Sequence, residues 1–446
     1  MAAGIKRRVL VLAYSISPVR GSEYAVGWNY VKNMSREHEL FVLYGLAGDH
    51  MGDLEEMKDV DGSTFVNPVM FVPIEPTFLA KCANYLNRIG WLPYSFYFAY
   101  RHWHREAFKV AKRLSATHEI DVVHYLCPIG FREPGYLWKL DKPYIWGPIG
   151  GIASRPTRPF FGLSWKTGAQ TLVRNFVNRA QFRFSWRVRR ALRRADVLLA
   201  ATSENADAIQ RVHGLPAIVI PENGIIDAPF SGGDNRSDAE RIVGPGEPPS
   251  VLHDEVAGKP IHLIWVGSVE TRKALTILLR ALAELKDSVR WTLDVVGSGP
   301  LIGHAQEEAV SLGVDRYIAW HGRLSREEAV NRFQSADLHV VTSLAEGHPT
   351  TIWEAMSYGV PTIAFDLCGM RDSLAEGRGV KLPVGDLPEM IDNLAGALTQ
   401  LATDRASLWR LRVATQGAAT HFSWSSRVRF WGDMYEAAIR HRKKVR

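Results

Sequence analysis

Short runs of apolar residues recur along the chain, and stretches with helical periodicity separate them. Within each run the apolar residues are continuous rather than alternating, which is typical of strands buried on both faces of a parallel sheet. The helical stretches, such as ALTILLRALAELK, complete β–α–β units. The predicted strands form two series, 9–14, 40–45, 69–74, 121–126, 143–147, 196–202 and 217–224, and then 261–268, 291–299, 317–322, 338–343 and 361–366.

A stretch without periodicity, residues 226–260, separates the two series and is rich in Pro, Gly, Ser and charged residues. This composition predicts a linker or a surface excursion. We therefore predict an α/β fold with two doubly wound, Rossmann-like domains, residues 1–225 and 261–417, each built on a parallel sheet. Ligands bind at the carboxyl ends of the strands in such sheets, and two sets of ends can face each other across a cleft.

The composition is ordinary for a globular protein of 446 residues, with 46% hydrophobic and 23% charged residues. The net charge of +7 favours an acidic partner: a phosphate-rich ligand, an anionic membrane surface or nucleic acid. The three cysteines lie far apart without a CxxC motif, which favours a reducing compartment and hence the cytoplasm. The apolar runs are shorter than the ~18 residues of a membrane-spanning helix, and we interpret the N-terminal run as a strand rather than a signal peptide.

The sequence EGHPTTIWE, from Glu346 to Glu354, follows a predicted strand and begins a predicted helix. Pro349 suits the first turn of a helix, and the backbone N–H groups of Thr350 and Thr351 then lie at a helix N-terminus, which favours phosphate binding. Glu354 comes one turn later and can accept hydrogen bonds from a cis-diol such as ribose. The alternative is that Glu346 is a solvated loop acid and Glu354 a favourable charge in the first helical turn.

Two cations, Arg272 and Lys273, stand between a predicted strand and the helix that follows it. A guanidinium fork beside a lysine suits a diphosphate, and a solvated basic turn is the alternative. Further along, Gly297 and Gly299 are followed by Gly303, so the spacing is GxGxxxG and matches the dinucleotide fingerprint GxGxxG only loosely.

In the first predicted domain, Gly21 and Ser22 follow the first strand and let the backbone approach a ligand closely. Glu23 stands near the start of the next helix, where it suits either helix capping or contact with a substrate hydroxyl. His124 stands at the carboxyl end of a strand, and it is either a functional residue or a core histidine with satisfied hydrogen bonds.

Taken in order, these motifs resemble those of the retaining nucleotide-sugar glycosyltransferases of family 4, which have the GT-B fold. Glu346 and Glu354, followed by AMSYGVPTIAFD, are similar to the E-x7-E element of that family. His124 is similar to its DVVHxH-type histidine, and GSE at 21–23 to its first-domain glycine loop. Other similar stretches are PENGI (221–225), VGSGPL (296–301) and YIWGPIGG (144–151), the last of which resembles a branch making surface polysaccharides.

The resemblance implies that a last helix, after residue 418, crosses back onto the first domain. It implies two catalytic residues, Glu346 in contact with the donor sugar and His124 in contact with the transferred sugar. Glu354 would hold the donor ribose, and Glu23 is the candidate on the acceptor side. The other implied donor-binding residues are Gly21, Ser22, Gly267, Ser268, Arg272, Lys273, Gly297, Gly347, His348, Pro349, Thr350 and Thr351.

The implied reaction transfers a sugar from a UDP- or GDP-linked donor to a glycan or lipid-linked acceptor, with retention of the anomeric configuration. No metal ion or other cofactor is expected, and we interpret the DVD sequence at 59–61 as a solvated charged run. Two positions depart from the family pattern. Ser268 stands where an arginine usually neutralises the leaving diphosphate, so Arg272 is the candidate to replace it, and His348 stands where an apolar residue is common.

The stretch from Arg155 to Arg194 contains ten Arg and one Lys but neither Asp nor Glu. Apolar residues recur in it at four-residue spacing beside a stripe of arginines, which predicts a basic amphipathic helix. From Arg174 to Arg194 this helix either contacts an anionic membrane peripherally, at its inner face, or packs its apolar stripe on the sheet. No recognisable nucleic-acid-binding module accompanies these arginines.

Two other classes of protein stay open. A non-catalytic GT-B scaffold would bind a nucleotide or a membrane partner without transferring sugar; the presence of Glu346 and Glu354 argues against it, whereas Ser268 leaves it open. An NAD-dependent oxidoreductase is disfavoured by the loose glycine spacing at Gly297. The sequence leaves open the donor sugar, its base, the acceptor and the linkage.

Overall fold

The computed structural model describes residues 5–20, 23–45, 54–92, 95–225, 259–285, 288–375, 377–419 and 422–445. Gly21, Ser22 and most of the predicted linker, residues 226–258, lie outside this part of the chain. The chain divides into two compact units, and neither is continuous in sequence. The first unit comprises Met1–Ser154, Phe176–Asn223 and Trp424–Arg446, and the second comprises Arg155–Asn175 and Gly224–Ser423.

The first unit is built on a parallel sheet. Its strands are β1 (Arg8–Ala13), β2 (Glu39–Gly45), β3 (Val69–Ile74), β4 (Val122–Cys127), β5 (Tyr144–Ile149), β6 (Val197–Ala200) and β7 (Ile218–Val219). In the described part of the chain these seven strands pair in the order β3-β2-β1-β4-β5-β6-β7.

The second unit is built on another parallel sheet. Its strands are β8 (Ile261–Val266), β9 (Trp291–Val296), β10 (Ile318–Gly322), β11 (Leu338–Val341), β12 (Thr362–Phe365) and β13 (Gly379–Leu382). Within the ranges described, these six strands pair in the order β10-β9-β8-β11-β12-β13.

Helices connect the strands and cover both sheets. In chain order they are α1 (Glu23–Met34), α2 (Leu54–Lys58), α3 (Phe78–Arg88), α4 (Ser95–Thr117), α5 (Thr157–Leu163), α6 (Trp165–Phe184), α7 (Trp186–Arg194), α8 (Ser203–His213), α9 (Leu275–Leu285), α10 (Ile302–Ser311), α11 (Arg326–Asn331), α12 (Thr350–Ser357), α13 (Cys368–Ser373), α14 (Leu387–Thr403), α15 (Arg405–Ala419) and α16 (Trp424–Val445). Among the described residues, no helix combines the length and apolarity that crossing a membrane requires.

Strand β1 illustrates why the central strands consist of consecutive apolar residues. Leu10 and Leu12 belong to a core cluster that includes residues of α4 and α7. Val9 and Val11 belong to a separate cluster that includes residues of α1 and α16. Since successive side chains of a strand point to opposite faces, both faces of β1 are covered. The prediction of two α/β domains built on parallel sheets is confirmed.

The last helix, α16, belongs to the first unit. Trp431 and Tyr435 are buried in the same core cluster as one face of β1. At the helix surface, Arg7 Nε lies 2.6 Å from a carboxylate oxygen of Glu436. The described helix begins at Trp424, six residues after the position expected from the sequence.

One segment of the predicted first domain, residues 155–175, clusters with the second unit instead. The reason is packing by α5. Phe160 is buried in the core cluster of the second sheet, and a Cβ placed on Gly162 would lie only 2.6 Å from Leu387 Cβ of α14. A short helix with few apolar residues carries no sequence pattern that reveals which core it joins.

The prediction of one amphipathic helix across the arginine-rich stretch was wrong. The stretch forms two helices, α6 and α7, and Ser185 caps the second by accepting a hydrogen bond from the Val188 N–H. Phe176 and Phe184 on α6 are 73% and 71% exposed, whereas Val188 and Leu192 on α7 are fully buried. Therefore only the second half of the predicted apolar stripe, on α7, packs on the sheet.

Arg187, one member of the predicted arginine stripe, points into the first unit. Its guanidinium forms a bidentate ion pair with Glu133, in which Nη1 lies 2.6 Å from Oε2 and Nη2 contacts Oε1. The guanidinium also lies over the ring of Tyr136, 4.7 Å from its centroid. Both charged side chains of the pair are buried.

Glu133→Gln should destabilise the first unit, because it leaves the Arg187 guanidinium buried without its counter-charge. We expect the free energy of unfolding to fall by about 3 kcal/mol. The matched control is Glu119→Gln, since Glu119 pairs with Arg8 at 3.2 Å but is 95% exposed; its effect should stay below ~0.5 kcal/mol. Urea unfolding measures both, and equal effects would contradict the structural role of the buried pair.

Candidate functional site

The candidate site of the second unit lies where the strand order of its sheet reverses. The sheet extends from β8 to β9 and β10 on one side, and from β11 to β12 and β13 on the other. Ligands of open parallel sheets bind beyond the carboxyl ends of the strands at such a switch point. The loops that follow β8 and β11 carry Arg272, Lys273 and Glu346.

The Glu346 carboxylate binds both cations of the neighbouring loop. Arg272 Nη1 and Lys273 Nζ lie 2.5 and 2.6 Å from the same oxygen, Oε1. Arg272 also lies 2.7 Å from a carboxylate oxygen of Glu270. Glu346 and Lys273 are largely buried, whereas Arg272 is partly exposed. The structure therefore joins into one cluster three residues that were predicted only at separate strand ends.

Neutral hydrogen bonds fasten the same two loops together. The Leu344 N–H donates to the Arg272 carbonyl oxygen at 2.8 Å. Thr342 Oγ1 donates to the Lys273 carbonyl oxygen at 2.7 Å and accepts from Trp265 Nε1 at 3.1 Å. These bonds position the cations independently of their charge. Thr342 was missed in the sequence, although a threonine that ends an apolar run was a usable signal.

Helix α12 places the second acid of the E-x7-E element. Pro349 occupies the position before the helix, without a side-chain cap, and Thr350 begins the helix. Glu354 comes four residues after Thr350, which places both on one helical face. Ile352 and Trp353 are buried in the core on the other side. This orientation leaves Thr350, Thr351 and Glu354 partly exposed.

The short helix α13 supports the loop between the two acids. The Gly369 N–H donates to the Gly347 carbonyl oxygen at 3.0 Å, and a Cβ on Gly369 would lie 2.1 Å from that oxygen. His348 is buried, with its ring centroid 5.6 Å from that of Trp353. Gly369 was also missed in the sequence, where it follows β12 by a few residues without any recognised motif.

Two glycine turns touch at the ends of β8 and β9. Gly297 has a φ of 136°, and a Cβ there would lie 1.8 Å from the Gly267 carbonyl oxygen. The Gly267 N–H donates to the Val296 carbonyl oxygen at 2.9 Å. The next residue, Ser268, is exposed. The VGSGPL glycine thus allows two strand-end turns to pack together, which explains why its spacing departs from a dinucleotide fingerprint.

The first unit also has a switch point, between β1 and β4, and His124 and Glu23 lie on elements beside it. His124 was predicted at the carboxyl end of its strand, but it lies within β4, which continues to Cys127. His124 on β4 is buried, with Nδ1 2.8 Å from Tyr30 Oη and Nε2 2.8 Å from the Gly147 carbonyl oxygen. Burial lowers the pKa of His124 to about 4, so the ring is neutral at pH 7. Since a carbonyl only accepts, Nε2 carries the proton and Nδ1 accepts from Tyr30. Contact between His124 and a sugar stays a prediction, and it requires one of these bonds to open.

Glu23 begins α1 at the same edge of the first sheet. Burial, and then the nearby charge of Glu222, raises the pKa of Glu23, while a hydrogen bond from the Ile129 backbone acts in the opposite direction. In the neighbouring PENGI turn, Asn223 Oδ1 accepts a hydrogen bond from Asn29 Nδ2 at 3.2 Å. Glu23 therefore lies among the strand-end loops of the first unit. Its role towards an acceptor stays a prediction.

Comparison with known proteins identifies the type of the second unit. Residues 260–404 match the family model described as Glycosyl transferases group 1, and this range contains Lys273, Glu346 and Glu354. The D-inositol 3-phosphate glycosyltransferase of Streptomyces bingchenggensis is 29% identical over 266 residues, which is 56% of this chain and 55% of that protein. The chain thus spans about half the length of the curated relatives it matches.

Solved structures with a similar fold cover nearly the whole chain. The apo form of the lipopolysaccharide outer core galactosyltransferase WaaB has a TM-score of 0.56 and 17% identity, and the match covers 93% of this chain and 99% of that chain. HepE from Anabaena, in complex with UDP and glucose, has a TM-score of 0.56 and 16% identity, covering 97% of this chain and 100% of that chain. The two units therefore have the fold of GT-B glycosyltransferases.

Gly297→Ala should destabilise the second unit, because a β-carbon would collide with the backbone of Gly267 at a φ that favours glycine. We expect a loss of about 2 kcal/mol or more in the free energy of unfolding. Gly303→Ala is the matched control, because a Cβ on Gly303 in α10 meets no atom within 4 Å. It should be neutral or slightly stabilising. Scanning calorimetry compares the variants, and similar transitions for both would refute the close packing of the turns.

Proposed function

We propose that this protein is a retaining glycosyltransferase of family 4, which transfers a sugar from a nucleoside diphosphate to an acceptor hydroxyl. The observation that carries the proposal is the cluster of Arg272, Lys273 and Glu346 at the switch point of the second sheet. The start of α12 follows this cluster and supplies Glu354 on a partly exposed face. The match to the Glycosyl transferases group 1 model spans all of these residues.

In the proposed complex, the donor diphosphate binds Lys273, Arg272 and the first N–H groups of α12, at Thr350 and Thr351. In the structure Glu346 binds both cations, and Glu270 supplies a second carboxylate to Arg272. A phosphate oxygen has the charge and accepting capacity of a carboxylate oxygen, so a diphosphate can replace Glu346 on either cation. The helix N-terminus adds ~0.3–1 kcal/mol of favourable interaction with the same charge.

The two acids have different roles in this proposal. Glu354 accepts hydrogen bonds from the ribose diol, and hydrogen bonds to a charged group contribute ~1.5–3 kcal/mol each. Glu346 orients the donor sugar and stabilises the positive charge that develops at the anomeric carbon. Gly347 and His348 form the loop between them, so the histidine at the family's apolar position lies next to the sugar-binding acid.

The reaction is proposed to proceed on one face of the sugar. The bond between the anomeric carbon and the phosphate oxygen breaks, a bond to the acceptor oxygen forms, and the acceptor proton passes to the departing phosphate. Lys273 and Arg272 stabilise the charge on the leaving diphosphate, which is electrostatic preorganisation and requires no metal ion. Arg272 replaces the arginine that is missing at Ser268.

The acceptor is proposed to be a glycan or a lipid-linked glycan precursor, in the cytoplasm. The similar proteins are named for inositol phosphate and lipopolysaccharide acceptors, and HepE was solved with UDP and glucose. These names support UDP as the first donor nucleotide to test, with GDP as the alternative. Glu23, with its raised pKa, is the proposed acceptor contact of the first unit.

Glu354→Gln and Glu346→Gln should separate nucleotide binding from catalysis. Glu354→Gln should weaken the affinity for UDP or GDP by about tenfold to a hundredfold, because a charged hydrogen-bond acceptor for the ribose is lost. Glu346→Gln should bind nucleotide at least as well as the wild type, because it no longer neutralises the cations, but should lower turnover about a hundredfold or more. Calorimetry measures binding, and release of UDP or GDP from sugar donors measures turnover.

Glu307→Gln, at an exposed position of α10, is the control and should change neither quantity. Undiminished turnover in Glu346→Gln would reject the catalytic role of Glu346. Nucleotide binding without turnover in the wild type, across UDP- and GDP-linked sugars and glycan acceptors, would favour the non-catalytic scaffold. NAD binding without nucleotide-sugar binding would favour the oxidoreductase.

Arg272→Ala should weaken the affinity for the nucleoside diphosphate by about tenfold or more, because one of two cations on the diphosphate is lost. Its effect on the nucleoside monophosphate should be smaller. Arg280→Ala is the matched control, since the Arg280 side chain on α9 is 46% exposed and pairs with Glu308 at 2.8 Å. If both variants bind the diphosphate equally well, Arg272 does not replace the arginine absent at Ser268.

A further inference from the structure

Helix α3 turns its large apolar residues towards solvent. Its inward face consists of Ala80 and Ala83, which pack against Ala99 of α4. Phe78 on its outward face and Trp91 in the turn after it are each 79% exposed. Surface helices normally have the opposite orientation, with the large apolar side chains in the core. The outward apolar residues of α3, its turn and the start of α4 are Phe78, Leu79, Tyr85, Ile89, Trp91, Leu92, Tyr97 and Phe98; we call them the aromatic hairpin.

A layer of arginines follows the aromatic hairpin along α4. Phe98, Arg101 and Arg105 are spaced i, i+3 and i+7, so they share one helical face. With a rise of 1.5 Å per residue, the arginines come roughly 5 and 10 Å after Phe98 along the helix axis. Both guanidinium groups are held in place, because Arg101 Nε and Arg105 Nε donate to Tyr136 Oη at 3.2 and 3.4 Å.

The charge of this segment is entirely positive. Residues 78–105 contain Lys81, Arg88, Arg101 and Arg105 but neither Asp nor Glu. The segment therefore combines exposed aromatic residues at one end with cations that begin one helical turn later. Interfacial membrane-binding elements have this arrangement, with the apolar face buried roughly 5–10 Å into the headgroup boundary and the cations at the anionic lipid phosphates.

We propose that the aromatic hairpin docks the first unit on an anionic membrane, with Arg101 and Arg105 at the lipid phosphates. We propose this surface instead of the contact predicted from Arg174 to Arg194, where Arg187 is in a buried ion pair and Val188, Ala191 and Leu192 of α7 are in the core. A second copy of the chain fits the hairpin less well, because a symmetric contact would bring identical cationic layers together.

The hairpin also lies at the functional edge of the first sheet. Helix α3 follows the carboxyl end of β3, and Trp103 Nε1 of α4 donates to the Ile74 carbonyl oxygen at 3.0 Å. Glu23 follows the carboxyl end of β1 in the same sheet. If the protein is the proposed transferase, docking through this hairpin would place the candidate acceptor edge near the membrane, where a lipid-linked acceptor is available. The docking itself does not depend on the proposed reaction.

Flotation of the full-length protein with vesicles tests the docking. The wild type should bind vesicles of phosphatidylglycerol and phosphatidylethanolamine, more weakly at high salt, and bind pure phosphatidylcholine poorly. Trp91→Ser with Phe98→Ser should reduce binding at least about tenfold, because the inserted apolar area is lost. Arg101→Gln with Arg105→Gln should remove most of the preference for anionic vesicles. The matched control, Phe176→Ser with Phe184→Ser on α6, removes two other exposed aromatic residues and should retain binding.

Absence of wild-type binding to anionic vesicles overturns the proposal, as does equal binding by the Trp91/Phe98 variant. If only the α6 control loses vesicle binding, the membrane contact lies in the arginine-rich stretch and not in the aromatic hairpin. Light scattering tests whether the surface binds a second copy of the chain instead. A wild-type dimer that does not bind lipid, and that the Trp91/Phe98 substitutions dissociate, would assign the aromatic hairpin to a contact between copies. Two variants distinguish failure of the docking from failure of the proposed reaction. Glu346→Gln should bind vesicles like the wild type, and the Trp91/Phe98 variant should still bind UDP or GDP.

Discussion

The interaction on which the candidate site depends is the contact of one carboxylate oxygen of Glu346 with Arg272 and Lys273. It connects the loops after β8 and β11, the two neighbouring strands at which the sheet of the second unit reverses its order. Charges of opposite sign hold each other at this edge, while the neutral bonds of Thr342 and Leu344 keep the loops in register. Without the carboxylate, two cations would face each other in a partly buried position, which is unfavourable.

Glu346 and Glu270 together balance the charges of Arg272 and Lys273. In the proposed reaction, a diphosphate takes over Lys273 and Arg272 and releases Glu346 towards the sugar, so that one displacement both binds the donor and positions the acid. Beside the corresponding switch point of the first unit, both ring nitrogens of His124 are hydrogen-bonded, and burial raises the pKa of Glu23. The cations of the proposed phosphate site, Arg272 and Lys273, both lie in the second unit.

Much of this fold follows from local pattern, and much of the site does not. Continuous apolar runs predicted most strands of both sheets, because strands such as β1 and β4 are buried on both faces. The edge strand β13 was missed because it is short and only partly buried. The position of Glu346 at a strand end was predictable, but its pairing with Lys273 depends on strand order, which periodicity does not encode. The break at Ser185 was missed because four-residue spacing continues through the cap, and the burial of Arg187 was missed because its partner, Glu133, lies fifty-four residues away.

A structure with bound UDP or GDP would show whether a nucleoside diphosphate displaces Glu346 from Arg272 and Lys273. This displacement would bring diphosphate oxygens within about 3 Å of Lys273 Nζ and Arg272, at the start of α12, with the ribose hydroxyls on Glu354 and the Glu346 carboxylate moved away from at least one cation. A nucleotide bound elsewhere, or bound with both ion pairs of Glu346 intact and no phosphate contact to Lys273, would contradict it.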